Sequence, residues 1–287
     1  VRVLVTGANG QLGSELVRLY AARSGDEILG IDLPELDITS TESVAHTVSE
    51  FRPDVVINCA AWTAVDAAEE NEPAAMAVNG EGPEKLAAAC RVTGAWLVQL
   101  STDYVFSGEA TTPYAEDAPP DPRSAYGRTK LAGEMAVQSM LPDAHYIVRT
   151  AWLYGHQGNN FVKTMLRLES ERETIDVVDD QIGQPTYAAD LAAQIVALVD
   201  ARPAAGIFHG TNSGEVSWHG FTQEIFLLIG ADPERVNAVS SEQFVRPAPR
   251  PAYSVLGHAR WEQVGLEPMR PWQNAIADAM VGFQHQA

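Results

Sequence analysis

Residues Val1 to Val5 are an unbroken apolar run rich in β-branched side chains, the pattern of a strand buried on both faces. A polar, glycine-rich turn follows, and Ser14–Tyr20 then has helical spacing. The same alternation continues along the chain. Strands are predicted at Glu27–Asp32, Asp54–Ala61, Ala95–Leu100 and His145–Arg149, with Ile207–His209 returning to the sheet. Helices are predicted after Leu36–Ser40, capped by Thr39 or Ser40, and from Val65 through Thr93, interrupted at Pro73 and Pro83. Further helices are predicted from Ser124, from Asn159–Phe161 through Leu168, over Ala188–Val199 and Trp218–Ile229, and around Trp272–Phe283. Pro113, Pro119, Pro120 and Pro122 mark a long loop that reads as a flap. Strands alternating with helices predict an α/β fold, a Rossmann-type doubly wound parallel sheet with a smaller C-terminal region.

Composition narrows the function. The 287 residues carry 38 acidic and 19 basic side chains, a formal net charge of -19. Such a chain is a poor partner for nucleic acid or an anionic membrane, and any anionic substrate needs a locally basic pocket. Cys59 and Cys90 sit in apolar contexts and read as small core residues in a reducing cytoplasm, not as a disulfide framework. No apolar run reaches the roughly 18–20 residues of a membrane span, and Val1–Val5 reads as a strand instead of a signal peptide.

The candidate chemistry lies at the ends of the predicted strands. Gly7, Gly10 and Gly13 stand three apart between a strand and a helix, where a dinucleotide pyrophosphate meets a helix N-terminus. Gln11 and Leu12 lie in the same turn. Asp32, about 20 residues on, suits a ribose diol and repels a 2′-phosphate, which favours NADH over NADPH. Asp37 and Ile38 reach toward the adenine, and Ala61, Trp62 and Thr63 pass the middle of the cofactor. Ser101-Thr102-Asp103 puts two hydroxyls and an acid where a substrate carbonyl would sit. Tyr126 and Lys130 are one helical turn apart on one face. A free phenol titrates near about 10, and an adjacent ammonium is expected to lower that value, giving a proton donor for neutral pH.

Gly7-x-x-Gly10-x-x-Gly13, the Thr102 edge and Tyr126-x-x-x-Lys130 together resemble the extended short-chain dehydrogenase/reductases. Gly10–Gly13, Ala64–Asp66, Ser101–Phe106, Tyr126–Glu134, Asn159–Phe161 and Asp180–Thr186 resemble, more narrowly, the dTDP-4-dehydrorhamnose reductase family. The resemblance runs from residue 1 to the last helix. It implies NADPH- or NADH-dependent reduction of the C4 ketone of dTDP-4-dehydro-β-L-rhamnose, the last step of dTDP-rhamnose synthesis for cell-surface polysaccharide. It also implies a division of labour. Residues 1–154 plus about 175–212 bind the dinucleotide, and about 155–174 and 213–287 bind the substrate.

Residue by residue, the resemblance makes Tyr126 the general acid. Lys130 is its electrostatic partner and a ribose ligand. Thr102 either hydrogen-bonds the substrate oxygen or tunes the tyrosine. Asp103 binds the sugar, Trp152 offers it a hydrophobic face, and Arg250 meets the diphosphate. Some members dimerise through Mg²⁺, which here would fall to Glu15 and Asp190, so the chain is expected as a monomer or a homodimer. A nucleotide-sugar epimerase and a non-enzymatic regulatory subunit of the same fold are the competing readings.

Overall fold

The structure is a computed structural model that describes residues 1–284. Six parallel strands form the central sheet: β1 (Arg2–Thr6), β2 (Glu27–Ile31), β3 (Val55–Asn58), β4 (Trp96–Thr102), β5 (His145–Thr150) and β6 (Gly206–His209). Their order is β6-β5-β4-β3-β1-β2. The strand order therefore reverses between β1 and β3, and in such sheets the crevice beyond the strand ends at that point is the ligand site.

The apolar runs divide by two-residue period. Val3 and Val5, Val55 and Ile57, Val98 and Leu100, and Tyr146 and Val148 face one core, with the helices Gln11–Ala21 and Ala188–Ala201. Leu4, Val56, Leu97 and Ile147 face the other, with the helices Thr41–Phe51, Gly82–Thr93 and Ala125–Met140. Burial on both faces explains why these strands read as continuous apolar segments. Ser40 caps the helix Thr41–Phe51 by accepting from the Ser43 amide at 3.2 Å.

A third core gathers the helices Phe161–Glu171, Trp218–Leu228 and Trp272–Gln284. The strand Ile175–Val178 pairs in parallel with Val236–Val239 and takes no part in the central sheet. It packs with this smaller region through Ile175 and Val177.

The helical stretch expected over Val65–Thr93, with interruptions at Pro73 and Pro83, is four pieces: Val65–Glu70, Glu72–Met76, a π-helical turn at Ala77–Glu81, and Gly82–Thr93. Pro73 and Pro83 each stand in a first helical turn, where the missing N–H costs nothing. They start helices here and do not kink one. Cys90 is buried in a core, whereas Cys59 is only half-buried and borders the cleft described below.

A buried histidine, His209, and a half-buried one, His258, tie the C-terminal segment to β6. His209 Nδ1 pairs with the Gly257 carbonyl at 2.9 Å, and His258 Nε2 pairs with the Thr211 hydroxyl at 2.8 Å. Burial, reinforced for His209 by the nearby Arg149 charge, pushes His209 down to about 3; burial alone pushes His258 down to about 4. In the unfolded chain both titrate near about 6.5. The unfolded state then binds more protons below that pH, so their contribution to stability is complete above about 6.5 and declines as pH falls. The thermal midpoint is expected to drop steadily between about pH 6.5 and 5, above the range of most carboxylates. A midpoint that stays flat across that window in thermal melts would contradict this account.

Candidate active site

A cleft of about 690 Å³ opens at the C-terminal ends of β1, β3, β4 and β5. Gly7, Gly10, Gln11, Leu12, Gly13, Asp32, Asp37, Ile38, Ala61, Thr63, Thr102, Asp103, Tyr126, Lys130 and Trp152 all border it. The sequence therefore placed most of its candidates in one cavity.

The floor is the glycine turn. Gly7 has φ +64, and a Cβ there would lie 2.6 Å from the Ala60 amide nitrogen. A Cβ on Gly13 would lie 2.2 Å from the Gly7 carbonyl oxygen. The helix Gln11–Ala21 starts at Gly10, which has no side chain to cap it, so its N-terminal end faces the cleft without a side-chain partner. This cradle fits a pyrophosphate. At the end of β2, Asp32 accepts from the Asn9 amide at 3.1 Å and the Leu33 amide at 2.9 Å. Asp37 accepts from the Thr39 hydroxyl at 2.7 Å and the Thr39 amide at 2.8 Å, and these bonds hold its carboxyl below the usual range. Its carboxylate is thus engaged by its own loop.

Trp62 is not a wall of this cleft. Its indole packs toward Ala68, Ala75 and Ala125, and its N–H donates to the Ala64 carbonyl at 3.1 Å. Its backbone is clamped by Asn79, which accepts from the Trp62 amide at 2.9 Å and donates to its carbonyl at 3.0 Å. Asn79 is 1% exposed and sits in the π-helical turn. Sequence reasoning missed it, because a lone Asn in an Ala-rich helical stretch carries no signal of such a turn. Its effect is to fix the Ala61–Thr63 wall.

The helix Ala125–Met140 begins at Ser124, whose hydroxyl accepts from the Gly127 amide at 3.1 Å. This cap places Tyr126 in the first turn, at the mouth of β4. A Cβ on Gly127 would come within 2.2 Å of the Tyr104 carbonyl, so the helix end and the Thr102–Tyr104 edge lie in direct contact. Tyr126 is pushed up to about 12, chiefly by burial. The Thr102 hydroxyl lowers it by hydrogen bonding, and the Asp103 charge raises it. The expected lowering by Lys130 is therefore corrected. Lys130 is 4% exposed, and its ammonium donates to the Leu100 carbonyl at 2.6 Å. Desolvation is the largest influence on the phenol, and Lys130 is not among the groups that lower it. Burial likewise brings Lys130 down to about 8, against the opposing pull of Glu134.

A second cavity of about 410 Å³ adjoins the first, and Tyr104 and Trp152 border both. Arg246, Arg250, Phe161 and Trp218 complete its wall. Arg250 pairs with Asp66 at 3.0 Å. Trp152 stacks on Trp218, with ring centroids 3.5 Å apart at 9°, and still borders both cavities. A Cβ on Gly183 would sit 2.6 Å from its ring carbons. The indole is packed into the wall, and Trp218 joins it as an aromatic surface that the helical pattern of its segment disguised.

Each acid of the expected metal pair is already engaged by a basic side chain. Asp190 makes a two-point ion pair with Arg270 at 2.8 and 2.9 Å and accepts from Asn212, while Glu15 pairs with Arg18. Among the described residues no group of three or more His, Cys, Asp or Glu side chains is placed to hold a metal ion. No helix among them is long and apolar enough to cross a membrane.

A family model described as RmlD substrate binding domain matches residues 1–284. A dTDP-4-dehydrorhamnose reductase of Streptomyces griseus is 54% identical, covering 97% of this chain and 92% of the relative. A dTDP-4-keto-6-deoxy-D-glucose reductase of Streptomyces niveus is 52% identical, covering 97% and 96%. Among solved structures, a dTDP-4-dehydrorhamnose reductase of Bacillus anthracis in complex with NADP superimposes with a TM-score of 0.94 at 42% identity, covering 98% of this chain and 99% of that one.

Proposed function

We propose that this chain, which belongs to the RmlD family of dTDP-4-dehydrorhamnose reductases, reduces the C4 ketone of dTDP-4-dehydro-β-L-rhamnose to dTDP-L-rhamnose at the expense of NAD(P)H. The observation that carries this reading is the meeting of Thr102, Tyr126 and Lys130 on one wall of a cleft floored by the glycine turn. An epimerase shares that wall, but relatives more than half identical over nearly the whole chain are reductases by name. A regulatory subunit has no use for the three side chains together.

The turn at Gly7, Gly10 and Gly13 holds the cofactor pyrophosphate, with Asp32 at the adenosine ribose and Lys130 at the nicotinamide ribose. When bound, the reduced nicotinamide supplies the hydride for the ketone carbon. Tyr126, fully protonated at neutral pH, donates its proton to the ketone oxygen as negative charge develops there. The Lys130 ammonium stabilises that charge. Thr102 donates its one hydroxyl proton to Asp103 at 2.9 Å, which leaves none for the ketone and leaves its oxygen free to accept from, and so orient, the Tyr126 hydroxyl. The second cavity takes the nucleotide, with Arg250 and Arg246 available to its diphosphate and Trp218 and Phe161 to its apolar faces.

The test is an absorbance assay following NADH or NADPH consumption with dTDP-4-dehydrorhamnose. Stoichiometric consumption is expected. Tightly bound NAD that is never released would instead favour the epimerase. The same assay reads cofactor choice. Asp32 is anchored for a ribose diol, and a hydrogen bond to a charged group contributes about 1.5–3 kcal/mol. Asp32→Ala is therefore expected to raise KM for NADH by roughly 10- to 100-fold, and to affect NADPH less because a like-charge repulsion is lost as well. Equal weakening of both cofactors would remove the ribose argument.

A further inference from the structure

Reduction leaves Tyr126 without its proton, and the proton must be replaced before the next turnover. Lys130 is the nearest cation on the helix, but its ammonium is bonded to the Leu100 carbonyl at 2.6 Å and only 4% exposed. On the other side of Tyr126 runs a different hydrogen-bonded chain. The Thr102 hydroxyl acts on the Tyr126 phenol, and Thr102 Oγ1 donates to Asp103 Oδ1 at 2.9 Å. Asp103 is 3% exposed and its other oxygen, Oδ2, has no partner. Ser254 approaches from the C-terminal segment. Its backbone amide is fixed to the Ile182 carbonyl at 2.9 Å, and its own hydroxyl, on a residue 2% exposed, is likewise without a partner. Two buried, unpaired polar atoms at one edge of an active site call for a reason. A rotation of the Ser254 hydroxyl pairs them.

We propose that Asp103, held by Ser254 and joined to Tyr126 through the Thr102 hydroxyl, is the proton store that returns Tyr126 to its acid form after each turnover. The inference rests on the reductase reading above. In the reduction the Tyr126 O–H bond breaks and the sugar O–H bond forms, leaving a phenolate. The Thr102 Oγ–H proton then passes to the phenolate oxygen as the Asp103 Oδ1–H proton passes to Thr102 Oγ. The net change is one proton moved from Asp103 to Tyr126, with no electron moved. Asp103 ends as a carboxylate accepting from Thr102, the direction seen in the structure, and takes a proton from water once product leaves. Ser254 is a positioning residue in this scheme.

The groups facing Asp103 support a store that works near neutrality. Thr102 and the backbone amide of Tyr104 come from its own strand edge, Tyr126 from the helix and Ser254 from the C-terminal segment. None of them is a cation, and Arg250, the cation that acts on the neighbouring Tyr104, pairs with Asp66 at 3.0 Å. Burial pushes Asp103 up to about 6, opposed by the Ser254 and Thr102 hydroxyls. Removing the Ser254 hydroxyl removes a bond to the charged form and so raises Asp103 further.

The test is the pH profile of kcat at saturating cofactor and sugar. Turnover of wild-type protein is expected to fall as pH rises through the Asp103 titration. Ser254→Ala is expected to move that limb to higher pH while leaving NADPH binding, read by cofactor fluorescence, unchanged. Asp103→Asn keeps the shape but has no acidic proton to give, and is expected to abolish the limb and lower kcat by roughly 10²-fold or more. A limb indifferent to Ser254→Ala, or an Asp103→Asn enzyme altered only in KM for the sugar, overturns the relay and leaves the reductase reading intact. A wild-type protein that turns over no ketosugar overturns both.

Discussion

Tyr126→Phe is expected to lower kcat by roughly 10²- to 10⁴-fold, the range that a positioned general acid contributes, with cofactor affinity nearly unchanged. The substitution removes one oxygen and little else. The ring keeps its edge-on contact with Tyr104, centroids 5.6 Å apart, and its place against Ala125 and Trp62. The helix keeps its Ser124 cap. What is lost is the only phenol on the Lys130 face of that helix. Burial holds this hydroxyl at about 12, so across the working pH range it is a donor and never a resting phenolate. Fluorescence titration with NADPH and the rate of NADPH consumption separate the two effects. Turnover within tenfold of wild type would show that the proton comes from elsewhere.

This outcome also bears on how the site is built. The spacing of Tyr126 and Lys130 put them on one face, and the folded chain does bring them to one cleft. The spacing did not reveal that Lys130 is turned to the Leu100 carbonyl, because the partner comes from a strand thirty residues earlier. Nor did it show that desolvation is the largest influence on the phenol, since burial depends on everything packed around the pair. The glycine turn was legible because backbone sterics act locally. Gly7 and Gly13 are close to their neighbours in ways no side chain permits. The sheet was legible because burial on both faces imposes apolar runs. The π-helical turn and its Asn79 clamp were not, because an interruption at Pro73 or Pro83 says nothing of the backbone between them, and the clamp's partner, Trp62, lies outside the helical stretch. Trp218 was hidden for a similar reason. An aromatic at a helix start signals core packing, and only the tertiary fold stacks it on Trp152.

Glu134→Ala is expected to cost about 3–5 kcal/mol of folding stability, the penalty for leaving a buried ion without its partner. Glu134 and Arg149 are 1% and 2% exposed, and the guanidinium donates to the carboxylate through Nε at 3.0 Å and Nη2 at 2.7 Å. Arg149 also donates to the Glu116 carbonyl at 3.3 Å and lies over the Phe106 ring, neither of which neutralises a charge. Urea unfolding measures the loss, and a cost below about 1 kcal/mol, the level of a surface pair, would contradict the argument. The double variant Glu134→Leu/Arg149→Met removes both charges and is expected to recover most of the stability. It should not recover the pH behaviour. Glu134 stands one turn beyond Lys130 and supports its ammonium against a burial that has already brought it down to about 8. An ammonium is present below its pKa and lost above it. The double variant should therefore show its second alkaline limb, the Lys130 one that lies above the Asp103 titration, at lower pH than wild type, even where it folds equally well. Recovery of both stability and the wild-type alkaline limb would mean that the buried pair serves the fold alone.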